Sequence, residues 1–347
     1  MANENDDLGA SQRPVFLEAL RVSLGRPAVW LTTWFLMTLL VLSLALPWAG
    51  WFQGVMDNYA PQAEFFSLSN TFRFDHGSEM GAVRQATSQT AAGLGFLALI
   101  FGVFAAGGWL QVILERTHGQ SLRRFFLGGA RYFFRFFRVL LISLLLLHVL
   151  GWLLYEWPWK TLVLDMLLGV PKYDHGSLET LDSERTVANL GFLRDGLYAL
   201  GLALILVWGT YTRTRIAIHD HVSAVLAGIA SAYTLFRHPL RTLRPMFLLA
   251  VLEGGLLIGL GVLTGMFQSR MEEHATLVGV LILLGLGQLG LVIREALRGA
   301  GYCAAVSVTQ DLSGPDRDDR WDGSIGGPGG PRYPIGDDDG DQYGVSM

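Results

Sequence analysis

The chain alternates long uncharged stretches with short basic ones. Six stretches of apolar residues stand out: Ala28–Pro47, Ala91–Leu114, Val139–Trp157, Leu190–Thr210, Pro245–Phe267 and Thr276–Ile293. Each is long enough, at about 1.5 Å of rise per residue, to cross a hydrocarbon layer about 30 Å thick. Charge inside them is sparse: Glu156 next to the end of the third, Arg194 and Asp195 in the outer turn of the fourth, and Glu253 within the fifth. The pattern predicts an all-α, polytopic transmembrane six-helix bundle over residues 28–310. The first stretch follows a polar segment, 1–27, and is longer than the apolar core of a secretory signal, so it is expected to remain as an anchor.

The polar intervals give this bundle an orientation. Arg13, Arg21 and Arg26 precede the first stretch, and Arg116, Arg123, Arg124, Arg131, Arg135 and Arg138 follow the second. Arg213, Arg215, Arg237, Arg241 and Arg244 follow the fourth, and Arg294 and Arg298 the sixth. Arginine therefore collects at every even-numbered exit, which predicts cytoplasmic N- and C-termini. Lysine is almost absent, at Lys160 and Lys172 alone, and both fall on the outer side.

Two of the basic intervals read as helices lying along the cytoplasmic surface. In QSLRRFFLGGARYFFRFFR, Leu122, Phe126, Phe133 and Phe137 share one helical face, and Arg124, Arg131, Arg135 and Arg138 the opposite one. In IAIHDHVSAVLAGIASAYTLFRHP, Ile218, Val222, Val225, Ile229 and Phe236 form a stripe that Pro239 ends. An aromatic face bordered by arginine suits the headgroup boundary of an anionic leaflet, so lipid is the expected partner and nucleic acid is not. The stretch VWGTYTRTRIAIHDHVSAVLAGIASAYTLFRHPLRTL, the run RYFFRFFR and the closing REALRGAGYCAAVSVTQ resemble segments of a group of bacterial six-span integral membrane proteins without an established activity. The resemblance implies the topology and a bacterial inner membrane, and it supplies no catalytic residue.

Composition changes at Asp311. From there to Met347 the chain holds nine Asp against three Arg, with abundant Gly and Pro. Such a segment buries too little apolar surface to order itself, so 311–347 is expected to be a disordered acidic cytoplasmic tail, either merely solvated or docking on a basic protein partner. The single cysteine, Cys303, excludes an internal disulfide and a cysteine metal cluster.

Ionisable and amide groups inside the apolar stretches are the first candidates for function. Glu253 lies nine residues past Arg244 and His148 ten past Arg138, so both sit at about 13–15 Å from the cytoplasmic end. An inward Glu253–His148 pair, completed by Gln111 and Gln288, would line a transport or proton path or simply join helices. Gly254, Gly255, Gly259, Gly261 and Gly265 beside Glu253 make close helix packing the structural expectation.

The second candidate is a repeat in the outer loops, RFDHGSEM at Arg73–Met80 and KYDHGSLE at Lys172–Glu179. His76 with Glu79 and His175 with Glu179, beside Asp75 and Asp174, would give a divalent metal a nitrogen and oxygen set from two loops. The same residues also make a turn, with Asp bonding its own backbone, Gly supplying positive φ and Ser78 or Ser177 capping a following helix. HDH at His219–His221 would not share a helix face. The chain has no phosphate loop, HExxH or GxSxG. It reads as a non-enzymatic scaffold or partner subunit first, a permease second, and an outer-loop metal enzyme or sensor third.

Overall fold

The computed structural model describes residues 15–58, 76–115, 120–169, 184–271 and 277–312, and every described element is helical. In chain order these are α1 (Val15–Leu24), α2 (Pro27–Ser43), α3 (Leu46–Asn58), α4 (Gly77–Leu114), α5 (Ser121–Tyr155), α6 (Glu184–His219), α7 (Ala224–Arg237), α8 (Pro239–Met271) and α9 (Leu277–Leu312). After α5, a short turn at Trp157–Trp159 runs into a π-helical stretch, Lys160–Leu167. Five helices are long and apolar enough to cross a membrane, and a sixth span results if α1 and α2, bent by 75°, count as one. The tail beyond Leu312 and the second Asp-His-Gly-Ser loop lie outside the described residues.

The helix boundaries follow local chemistry. Pro27 opens α2 at its first position, where its missing N–H has no partner to lose, and this places the bend after α1. Ser223 caps α7 by accepting from the Leu226 N–H at 3.3 Å. Pro239 then opens α8, and Asp220, at φ 49°, ends α6.

Two elements differ from the expectation. The basic aromatic segment and the third span are not separate helices: α5 runs unbroken from Ser121 to Tyr155. Its buried rings are Phe125, Tyr132 and Phe136, whereas Leu122 and Phe126 are exposed, so the stripe that packs lies beside the one read from spacing. The second basic interval does break, because α6 carries Ile218 to its end and α7 starts only at Ala224.

The chain divides into two compact units, one of residues 1–131 and 244–347 and one of 132–243. In the first, α1 and the C-terminal half of α9 close on the end of α4 and the start of α5. Trp109, Phe125, Leu110, Ile113, Ala300 and Cys303 are fully buried there. The approach is close because it is made by glycine. A Cβ at Gly107 would meet the Gly128 carbonyl oxygen at 2.7 Å, and one at Gly299 would meet the Trp109 ring at 2.5 Å. The Ser23 hydroxyl donates to the Ala296 carbonyl at 2.6 Å, and Arg26 donates to the Val112 carbonyl.

In the second unit α7 packs on α6. The Trp208 indole lies over Gly228 and donates to its carbonyl at 2.8 Å, and Tyr211 donates to the Thr242 carbonyl at 2.8 Å. Arg215 reaches across to the Ala230 carbonyl at 3.2 Å and the Thr234 hydroxyl at 3.1 Å. Hydrogen bonds from a charged donor contribute about 1.5–3 kcal/mol. Arg215→Ala is therefore expected to loosen α7 alone: amide exchange should accelerate over 224–237 while α6 keeps its protection. Equal acceleration in both helices would mean that Arg215 holds the whole unit instead.

Candidate functional site

The polar residues of the apolar segments sort into separate clusters. In the first unit, the Gln288 side-chain carbonyl on α9 accepts from Trp34 Nε1 at 3.0 Å and from Thr38 Oγ1 at 2.8 Å, both on α2. Trp34 and Thr38 are one helical turn apart, so one amide bridges a single face of α2 to α9. Their i, i+4 spacing is present in the first apolar stretch, but nothing local marks them as partners of Gln288 in the sixth.

Glu253 on α8 is half-buried, and the Arg294 guanidinium on α9 lies 3.9 Å from its carboxylate. Both side chains keep substantial exposure, 34% for Glu253 and 58% for Arg294. His148 is an exposed residue of α5 in the second unit, so the two members of the expected pair are described in different units. The glycines that follow Glu253 do not pack as expected: a Cβ at Gly254, Gly255, Gly259, Gly261 or Gly265 would meet nothing within 4 Å. Among the described residues, nothing packs on these positions of α8.

Gln111 is buried at the end of α4, where its amide donates to Glu115, whose other oxygen lies 3.3 Å from Arg124 Nε. A residue expected within a polar layer thus links the end of one helix to a basic residue at the start of the next. A second acid, Glu295 on α9, is buried and accepts from Arg298 at 3.1 and 3.2 Å. Arg194 and Asp195 pair at 3.2 Å, the Tyr155 hydroxyl donates to Asp195 at 2.9 Å, and the Arg194 guanidinium lies 4.5 Å from the centre of the Tyr155 ring.

The arginines expected at lipid headgroups occupy several environments. Arg123, Arg138, Arg241 and Arg244 are exposed, as is Arg131. Arg135 pairs with Asp220, Arg237 donates to the Tyr233 hydroxyl at 2.8 Å, and the Nε of Arg213 is buried with no hydrogen-bond partner among the described residues. Because α6 stops at His219 and Asp220 turns the chain at positive φ, the His219 and His221 rings approach to 5.5 Å. A continuous helix would have separated them.

Of the two Asp-His-Gly-Ser segments, expected as outer loops, His76, Gly77, Ser78 and Glu79 are described, while Asp75, Asp174, His175 and Glu179 lie outside the described residues. His76 is the residue before α4, so Ser78 sits inside the first turn and does not cap it. Glu79, in that first turn, draws His76 Nδ1 to 3.1 Å and accepts from Trp51 Nε1 at 3.1 Å, while the Trp51 and His76 rings meet edge to face at 6.3 Å. The carboxylate is well placed at a helix N-terminus and ties α3 to α4. Among the described residues, no three His, Cys, Asp or Glu side chains gather as a metal set. No protein-family model, curated protein or solved structure matches this chain.

Proposed function

We propose that this chain is a multi-pass component of a bacterial inner membrane, with both termini cytoplasmic, and that it serves as a non-enzymatic scaffold or partner subunit. One observation carries the reading. On α8 a run of glycines stands open beside Glu253, whose ion pair with Arg294 is only partly covered. Glycine faces let helix backbones approach closely, and a charged pair at membrane depth is costly until another surface covers it. A further transmembrane helix, from a second copy or a different subunit, would satisfy both. Anionic lipid at the arginine-rich face and a basic protein on the tail 311–347 complete the set of proposed partners.

The test uses Glu253→Gln and Gly259→Leu in the full chain, with native mass spectrometry of protein extracted in mild detergent. The wild type is expected to retain its partner subunits and both variants to lose them, with thermal stability unchanged. If both keep their assembly state and only melt earlier, Glu253 is packing material within the chain and the scaffold reading fails. A variant that is stable and assembled but no longer supports proton-coupled uptake would favour the permease reading, in which Glu253 serves a path.

A further inference from the structure

The helix α7 is built inside out for a water-exposed element. Its inner face is made of small residues, with Ala224, Ala227, Gly228 and Ser231 buried, and Leu235 closes its end. Its large apolar residues point away: Val225 is 59% exposed, Leu226 68%, Ile229 62%, Tyr233 63% and Phe236 82%. A surface helix in water turns its apolar stripe to the core and its polar face to solvent. Here the outer face is apolar, and its one hydroxyl, on Tyr233, is taken by Arg237.

Length and charge identify what covers this face. Fourteen residues reach about 21 Å, short of the roughly 30 Å that a span needs. A helix of this kind lies along a membrane and does not cross it. Trp208 fixes it against α6 near the cytoplasmic end expected for that span. Arg237 at its C-terminal end and Arg241 in the first turn of α8 are exposed, and no Asp or Glu occurs between residues 222 and 242. The nearest acid in sequence, Asp220, is paired with Arg135. The face is therefore apolar with a cationic end, and its complement is an acyl region beneath anionic headgroups.

We propose that α7 lies in the headgroup boundary of an anionic leaflet, with Val225, Leu226, Ile229, Tyr233 and Phe236 in the acyl region and Arg237 and Arg241 on lipid phosphates. The inference rests on the reading of the chain as a multi-pass membrane protein and refines its lipid contact; it does not depend on what covers α8.

The full chain carrying Cys303→Ala, with a spin label at Ile229→Cys or Phe236→Cys, is placed in nanodiscs of phosphatidylcholine alone or mixed with phosphatidylglycerol. Collisions with oxygen and with a water-soluble nickel chelate report depth. In mixed discs both labels are expected to meet oxygen and exclude nickel, at a depth of about 5–10 Å. Arg237→Ala with Arg241→Ala should lower the preference for phosphatidylglycerol over phosphatidylcholine by roughly 10–30-fold. Free access of nickel to both labels would overturn the proposal, as would labels screened from both reagents, which would mean a protein cover. The same depth and lipid preference in wild type and double variant would overturn its anionic part. Reading the labels again in a Gly259→Leu background separates this outcome from any failure of assembly at α8.

Discussion

Gly128→Ala is expected to drive α4 and α5 apart. A Cβ at Gly128 would stand 2.2 Å from the Gln111 Cβ and 2.7 Å from the Gly107 carbonyl oxygen. The second of these is backbone, and so cannot swing aside. Gly108 is no freer, since a Cβ there would meet the Phe125 ring at 2.4 Å and its carbonyl at 2.7 Å. Inserting volume into such packing costs about 1–3 kcal/mol, against the roughly 1 kcal/mol of helix propensity that alanine would otherwise add. The sign is therefore negative here and positive at Gly255, where a Cβ meets nothing within 4 Å. The chain supplies its own reporter: Cys303 is the single cysteine and is fully buried in the same unit. A thiol-reactive dye followed during heating should show Gly128→Ala exposing Cys303 at lower temperature, and Gly255→Ala at the wild-type temperature or above. Equal melting of all three proteins would mean that α4 and α5 do not pack through these glycines.

That contrast also marks how far the sequence could be read. The apolar stretches were legible because twenty uncharged residues have few alternatives to a long helix. Their true ends were not: α4 begins at Gly77, fourteen residues before its apolar stretch, and α5 at Ser121. A polar or amphipathic extension has a periodicity of its own and carries no breaker at the junction, so it reads as a separate helix. Glycine was legible as a packing residue but not its partner. The pairs at Gly107–Gly108 and Gly128–Gly129 sit in contact, whereas the longer run after Glu253 is open, and spacing within one helix says nothing about what stands opposite. Gln288 could be singled out as a lone amide in an apolar stretch, but its partners Trp34 and Thr38 are some 250 residues away in sequence. His219 and His221 were misplaced for a local reason, since nothing in HDH announces that the central Asp turns left-handed.

Trp109→Ala is expected to have the largest effect on the first unit. The indole is fully buried and fits against Gly299, so that α4 and α9 meet across a ring on one side and bare backbone on the other. Removing a large aromatic from a packed core costs about 3–5 kcal/mol, the lost burial of the ring plus a term that grows with the cavity left behind. Here the cavity lies beside Gly299, which has no side chain to move into it, and α9 is already fixed by the Ser23 bond to Ala296. The site thus has little means of collapsing, and the upper part of that range is expected. Trp109→Phe separates ring from polar atom. The Nε1 of Trp109 is buried without a hydrogen-bond partner among the described residues, so its N–H is a desolvated donor that the phenylalanine ring lacks. The smaller ring forfeits some contact and removes that penalty, and the two changes oppose each other. In the same Cys303 thiol assay, Trp109→Ala should melt far below wild type and Trp109→Phe close to it. A phenylalanine variant as damaged as the alanine one would mean that the indole nitrogen does find an acceptor, and that polar anchoring rather than ring volume holds α4 to α9.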